Sequence, residues 1–154
     1  MHNWFECKVS YRKTLENGME KVVTEPYLVD ALSFTEAEAR IIEEIRPYIS
    51  GEFTVADIKR VKYYETFFNE AGDRYFKAKV CFITLDEKNG AEKRTAVQML
   101  AQANNLKEAL AVIEQGMAGT LADYTVANLA ETAIMDVFPY TAEAKAETVH
   151  TEQA

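Results

Sequence analysis

Two runs of eight residues in this chain resemble each other at a separation of 71 positions: Trp4–Tyr11 reads WFECKVSY, and Tyr75–Phe82 reads YFKAKVCF. In each run apolar residues alternate with polar ones, which is the period of a half-buried β-strand. Three further pairs follow at nearly the same separation and in the same order. They are Asn17-Gly18 with Asn89-Gly90, Ser33–Glu36 with Asn105–Glu108, and Phe53–Ala56 with Tyr124–Ala127. The chain is therefore predicted to be an internal duplication.

Each copy is predicted to form a β-β-α-β unit. The Asn-Gly pairs are the strongest short-range hairpin signal, and they join the first two strands of each copy. Ser33–Glu36 and Asn105–Glu108 have the pattern of a capping box, so a helix begins at each. Pro47 and Gly116 mark where the two helices end. The third strands are predicted to run from Phe53 to Phe68 and from Tyr124 to Phe138.

The order of these elements predicts an α+β fold. A hairpin whose second strand leads through a helix into a third strand most simply places the third strand beside the first. Two such units would form one mostly antiparallel six-stranded sheet with two helices on one face. Whether the halves join edge to edge or close into a barrel stays open. Along the chain we predict a first repeat at 1–70, a second repeat at 71–139 and a flexible acidic tail at 140–154.

The composition is that of an ordinary globular protein. The 154 residues include 17 Lys and Arg against 25 Asp and Glu, which gives a formal net charge of −8, and 48% of the residues are hydrophobic. These values exclude the disordered and fibrous classes. No apolar run approaches the roughly 18 residues that span a bilayer, and the opening MHNWFECK does not have the pattern of a signal peptide. The sequence predicts a soluble, cytoplasmic protein with no membrane partner.

Residues that could perform catalysis or bind a metal are sparse. Cys7 and Cys81 are the two thiols, and His2 and His150 lie near opposite ends of the chain. Neither a metal-ligand spacing nor a cysteine–histidine pair can be written from these four residues. The six glycines do not form a phosphate-binding loop. We therefore predict no catalytic residues, no metal and no other cofactor, and we expect that the protein works by binding.

The sheet face that points away from the helices carries the candidate binding residues. On the predicted strands this face combines aromatic and basic side chains, although the chain as a whole is acidic. Sheet faces of this kind bind single-stranded nucleic acid, because bases stack on the rings while cations contact the phosphates. Four aromatic residues would stack: Trp4, Tyr64, Phe68 and Tyr75. Six basic residues would contact phosphates: Lys8, Arg12, Arg60, Lys62, Lys77 and Lys79.

A protein interface is the second interpretation of the same face. Aromatic and lysine side chains also suit cross-strand packing, and a sheet can bury its second face in a homodimer. The third strand of the second copy carries Glu131, Ala133, Met135 and Val137 on this face, so the basic stripe is lopsided. The net negative charge also opposes tight non-specific binding to duplex DNA.

Three segments, Thr24–Arg40 (TEPYLVDALSFTEAEAR), Trp4–Val9 and Glu131–Phe138, resemble an uncharacterised family of small acidic proteins from gut anaerobes and their phages. The resemblance extends from Met1 to about Tyr140. It implies a cytoplasmic protein that phage genomes also carry. That context favours a role in handling DNA or RNA, or in counter-defence by binding a nucleotide signal, but it assigns a role to no individual residue.

The sequence thus predicts a non-catalytic binding protein that recognises single-stranded nucleic acid or a nucleotide on the open sheet face. The alternative is a protein-interaction or structural module that uses this face as a homodimer or partner interface. An enzyme of an unfamiliar type is the third possibility in order of preference.

Overall fold

The computed structural model of the protein describes residues 2–140. Most of the predicted tail, residues 141–154, lies outside the described residues. The fold is α+β, as predicted, with eight strands and two helices in the described part of the chain. In chain order these are β1 (Trp4–Thr14), β2 (Glu20–Asp30), α1 (Phe34–Ile45), β3 (Phe53–Val61), β4 (Glu65–Phe67), β5 (Arg74–Leu85), β6 (Glu92–Ala103), α2 (Leu106–Gly116), β7 (Asp123–Glu131) and β8 (Val137–Phe138).

The strands form two separate four-stranded sheets, so the prediction of one six-stranded sheet with two helices on one face is wrong. The first sheet has the strand order β3-β1-β2-β8 and the second has the order β4-β6-β5-β7. Within the described residues the first compact unit comprises 2–62 and 133–140, and the second comprises 63–132. The repeats predicted at 1–70 and 71–139 are defined by sequence similarity, whereas these units are defined by packing.

The third strand of each repeat is shorter than predicted, and in the first repeat this is because its pairing partner ends. Val61 lies opposite Trp4, the first residue of β1, so β3 has no partner strand beyond that point. The chain then enters the second unit, where β4 pairs parallel with β6 and Thr66 lies beside Leu100. In the second repeat β7 ends at Glu131, opposite Phe76 of β5, and the chain that follows forms β8, which pairs parallel with β2 of the first unit. Each sheet is therefore completed by the segment that follows the other unit's third strand.

Side-chain contacts hold the two short strands in place. In the second unit a Cβ atom on Gly116 would lie 2.3 Å from the ring of Phe67. The Phe67 side chain of β4 can therefore pack against the end of α2 only because residue 116 is glycine. In the first unit Arg40 donates hydrogen bonds to the carbonyl oxygens of Asp30 and Pro139, the second at 2.9 Å. The Arg40 guanidinium also lies 5.5 Å from the ring centroid of Tyr140. A largely buried arginine thus connects α1 to β2 and to the chain after β8.

Both helices begin at the predicted caps. The Ser33 side chain accepts a hydrogen bond from the Glu36 amide at 3.1 Å, and the Asn105 side chain accepts one from the Glu108 amide at 2.8 Å. Neither glutamate accepts a hydrogen bond from its cap residue in the described structure. The buried Oε1 atom of Glu36 has no hydrogen-bond partner, and the Glu108 carboxylate accepts hydrogen bonds from Asn104. Each helix packs its buried stripe on the sheet of its own unit. The stripes are Ala37, Ile41 and Ile45 in α1, and Ala109 and Ile113 in α2.

Replacing the arginine that binds the chain just after β8 should destabilise the protein. Arg40→Ala removes two hydrogen bonds from a charged donor and leaves buried carbonyls unpaired, which should lower the free energy of unfolding by about 1–3 kcal/mol. Urea denaturation followed by circular dichroism measures this loss. Arg46→Ala is the matched control, because Arg46 follows the same helix but is exposed and makes no ion pair with a described residue. Equal stability of the two variants would contradict this role of Arg40.

Candidate functional site

A β-bulge decides which side chains of β3 reach the open face of the first unit. Between β1 and β3 the pairing shifts by one residue: Lys8 lies opposite Asp57 and Val9 lies opposite Val55, so Ala56 is the extra residue. A one-residue shift in register moves every later side chain of the strand to the other face. The uninterrupted alternation predicted from the sequence is therefore wrong from Ala56 onward.

Arg60 is the predicted site residue that the bulge displaces. It lies opposite Phe5, and residues directly opposite each other share a face of the sheet. Its guanidinium carbon is 5.2 Å from the ring centroid of Phe5 and 5.9 Å from that of Phe34, which begins α1. Arg60 therefore packs on the helix side by cation–π contacts, and the prediction that it lies on the open face is wrong.

The first open face comprises Glu6 and Lys8 of β1 together with Asp57 and Lys59 of β3. Lys59 Nζ lies 3.4 Å from Glu6 Oε2, and Lys8 lies opposite Asp57. The formal charges of these four residues cancel, so this part of the predicted phosphate track is neutral. Of the other predicted cations in this unit, Arg12 lies 4.0 Å from Glu20 and Lys62 is exposed just beyond the end of β3.

The second open face comprises Lys77 and Lys79 of β5, Gln98 of β6, and Asn128 and Ala130 of β7. Lys77 lies opposite Ala130, and Lys79 lies between Asn128 and Gln98. Both lysines are exposed, and neither makes an ion pair with any residue in 2–140. The structure thus brings these two predicted cations together on one strand, with neutral neighbours on both sides.

The sequence matches between the two predicted repeats allow the two open faces to be compared position by position. The matched runs place Glu6 where the second unit has Lys77, and Lys8 where it has Lys79. The matching bulge, at Ala127 in β7, places Asn128 where the first unit has an aspartate and Ala130 where it has a lysine. The same part of the fold is therefore neutral in the first unit and carries two uncompensated positive charges in the second.

Three of the four predicted stacking rings are not accessible. Trp4 and Phe68 are 2% exposed and Tyr75 is 3% exposed, so the prediction that they line an open surface is wrong. Trp4 and Tyr75 keep the strand alternation and share a face with Glu6 and Lys77, so it is the end of each face at which these rings lie that is covered, whereas Phe68 follows β4. Burying rings of this size removes a large apolar area from water. Tyr64 is 58% exposed, and its ring centroid lies 5.4 Å from that of Phe82. Phe82 packs against the core cluster on the α2 side, so the Tyr64 ring leans away from the second open face.

The described side chains that could act as nucleophiles, acids or metal ligands are engaged in the fold or lie apart from one another. Burial, together with the charges of Glu6 and Asp57, raises the pKa of the Cys7 thiol to about 12. The Tyr11 hydroxyl donates a hydrogen bond to Glu25 at 2.7 Å, and this bond raises its pKa to about 12. His2 Nδ1 lies 2.6 Å from the buried Asp30 carboxylate, a contact that sequence reasoning did not anticipate. No group of three His, Cys, Asp or Glu side chains in the described part of the chain could hold a metal ion.

Comparison with known proteins identifies a family for this chain. The family model of a domain of unknown function, DUF4494, matches residues 3–140. No curated protein and no solved structure matches the chain. Neither of the two helices within residues 2–140 is long and apolar enough to cross a membrane. The match thus covers nearly all of the described fold but brings no ligand or reaction with it.

The buried thiol of the first unit should be chemically inert in the folded protein. Because the thiolate is the reactive form and the Cys7 pKa is about 12, iodoacetamide at neutral pH should leave Cys7 unmodified. The same reagent should modify it in urea, where the pKa returns to its ordinary value and the thiol is exposed. Peptide mass spectrometry measures the modified fraction at each cysteine. Modification of Cys7 at the same rate in folded and unfolded protein would contradict its burial.

Proposed function

This chain belongs to the DUF4494 family, and we propose that it binds single-stranded nucleic acid or a nucleotide through the second open face. The observation that carries the proposal is the pair Lys77 and Lys79, which point the same way on β5 without a carboxylate beside them. In a chain with a net charge of −8, these two adjacent cations form a local positive potential that attracts an anionic ligand.

The spacing of the two lysines suits phosphate groups. Residues two apart on a strand project from the same face and lie about 6.6 Å apart along it. Ammonium groups on flexible stems at this separation can contact two neighbouring phosphates of a strand, or the phosphates of one nucleotide. The amide side chains of Gln98 and Asn128 flank Lys79 and supply hydrogen-bond donors and acceptors without adding charge.

Single-stranded ligands fit this surface better than a duplex. The positive area is small and the rest of the chain is acidic, so the repulsion that a duplex would meet is stronger than that met by a short flexible strand. With Trp4, Phe68 and Tyr75 buried, base stacking contributes little. We therefore propose binding that depends on phosphate contacts, has modest affinity and has little base preference. A phage-associated, cytoplasmic setting, which the family resemblance implies, would be consistent with such a role.

Removing the lysine pair should abolish the salt-dependent part of binding. Fluorescence anisotropy of a labelled oligothymidylate, and of the matching ribo-oligonucleotide, measures the affinity at several salt concentrations. On a single strand each phosphate contact contributes a slope of about 0.7 in log affinity against log salt, so Lys77→Gln with Lys79→Gln should lower the slope by about 1.4. Competition by a nucleoside triphosphate distinguishes a nucleotide site from one that requires a strand.

The matched control removes the same charge from the other unit. Lys8→Gln with Lys59→Gln also takes two positive charges from an open sheet face, so both double variants have the same net charge. Because Lys59 pairs with Glu6 and Lys8 lies opposite Asp57, the formal charges of this face already cancel, and this variant should bind like the unaltered protein. An equal loss of affinity in the two double variants would mean that only the net charge of the protein matters, which would contradict a site at Lys77 and Lys79. If the unaltered protein does not bind the oligonucleotide even at low salt, the proposal is overturned.

A protein interface is the second candidate, and the edge of β7 favours it. This strand is an outer strand of its sheet, and from Tyr124 to Ala130 it contains no charged residue and no proline. Natural edge strands usually carry such residues to prevent pairing with another chain. A homodimer formed through β7 would have twice the monomer mass of 17.4 kDa in light scattering. A monomer at all concentrations would exclude this homodimer.

A further inference from the structure

An open pocket lies in the first unit, between the end of α1 and the start of β3. Its volume is about 610 Å³, within the range of roughly 300–1,000 Å³ that is usual for small-molecule sites. Four half-buried apolar side chains form most of the wall, with polar residues at the rim. The lining residues are Ile42, Arg46, Ile49, Gly51, Glu52, Phe53, Thr54 and Val55.

Two opposite charges line this pocket without contacting each other. Arg46 follows α1 and Glu52 precedes β3, and both are exposed. Neither makes an ion pair within 4.0 Å, with the other or with any residue in the described part of the chain. The pocket thus offers one cation and one anion beside an apolar wall, which complements a molecule that carries both charges itself.

We propose that the pocket binds an apolar zwitterion, namely a free α-amino acid with a branched or aromatic side chain, or a short peptide of such residues. The ligand carboxylate would pair with the Arg46 guanidinium, whose planar geometry suits a two-point contact. The ligand ammonium group would pair with Glu52. The apolar side chain would then lie against Ile42, Ile49 and Phe53, removing apolar area from water.

The second repeat lacks the cation at the corresponding place. Ile45 and Met117 are matching buried residues at the ends of the two helices, which aligns Arg46 with Ala118. The acidic residue is retained, because the match of Phe53 with Tyr124 aligns Glu52 with Asp123. The loop after α2 forms without an arginine at this position, so the loop after α1 does not need Arg46 for its structure. The pair of opposite charges therefore occurs in the first unit and not in the second.

Titration of the isotope-labelled protein with leucine, observed by NMR, tests this proposal. Leucine should cause saturable shifts in the amide signals of residues 46–55, and N-acetyl-leucine and leucinamide, which each lack one charge, should bind at least about tenfold more weakly. Arg46→Gln should weaken leucine binding by a similar factor and Glu52→Gln likewise. Glu43→Gln is the matched control, since Glu43 is exposed on α1 but does not line the pocket.

The outcomes separate the proposal from its alternatives. Tighter binding of leucyl-leucine than of leucine would identify the peptide form of the ligand and support the proposal. Equal binding of leucine and its two derivatives would show that the charges play no part, and would overturn it. No saturable shift with either leucine or leucyl-leucine would overturn it as well. Because Arg46 and Glu52 lie outside the second open face, failure here leaves the proposed nucleic-acid or nucleotide binding unaffected.

Discussion

One extra residue in each third strand determines how the side chains of this protein are distributed. Ala56 in β3 and Ala127 in β7 interrupt the pairing with the central strands at matching places. Beyond each bulge the faces of the strand are exchanged, so residues that would have pointed away from the helix point toward it. Arg60 thereby reaches the rings of Phe5 and Phe34 and does not join the lysines of the open face. The residues that β3 and β7 contribute to the two open faces follow from this shift in register.

The crossing of the chain between the two sheets is the second constraint. The segments that follow β3 and β7 pair in the other unit, as β4 and β8. These strands are only three and two residues long, and so short a pairing contributes little by itself. Specific side-chain contacts compensate for this, namely Phe67 against Gly116 in the second unit and Arg40 against the Pro139 carbonyl in the first.

Sequence reasoning succeeded where a local pattern has a local cause. The caps at Ser33 and Asn105 and the helix that ends at Gly116 are formed by residues close to one another in the chain, so their positions could be predicted. The bulges could not, because an alanine between two apolar strand residues has no distinctive signal. Register errors spread along the strand, which is why Arg60 was assigned to the wrong face. The burial of Trp4 and Tyr75 depends on packing that strand alternation alone does not describe.

The functional account depends on the contrast between two copies of one surface: Glu6, Lys8, Asp57 and Lys59 cancel in the first unit, whereas Lys77 and Lys79 stand alone in the second. Mapping the contact surface of an oligothymidylate on the isotope-labelled protein by NMR tests this contrast most directly. The account predicts shifts concentrated at Lys77, Lys79, Gln98 and Asn128, with the matching residues of the first unit unchanged. Shifts confined to the first unit, or spread equally over both, would contradict it.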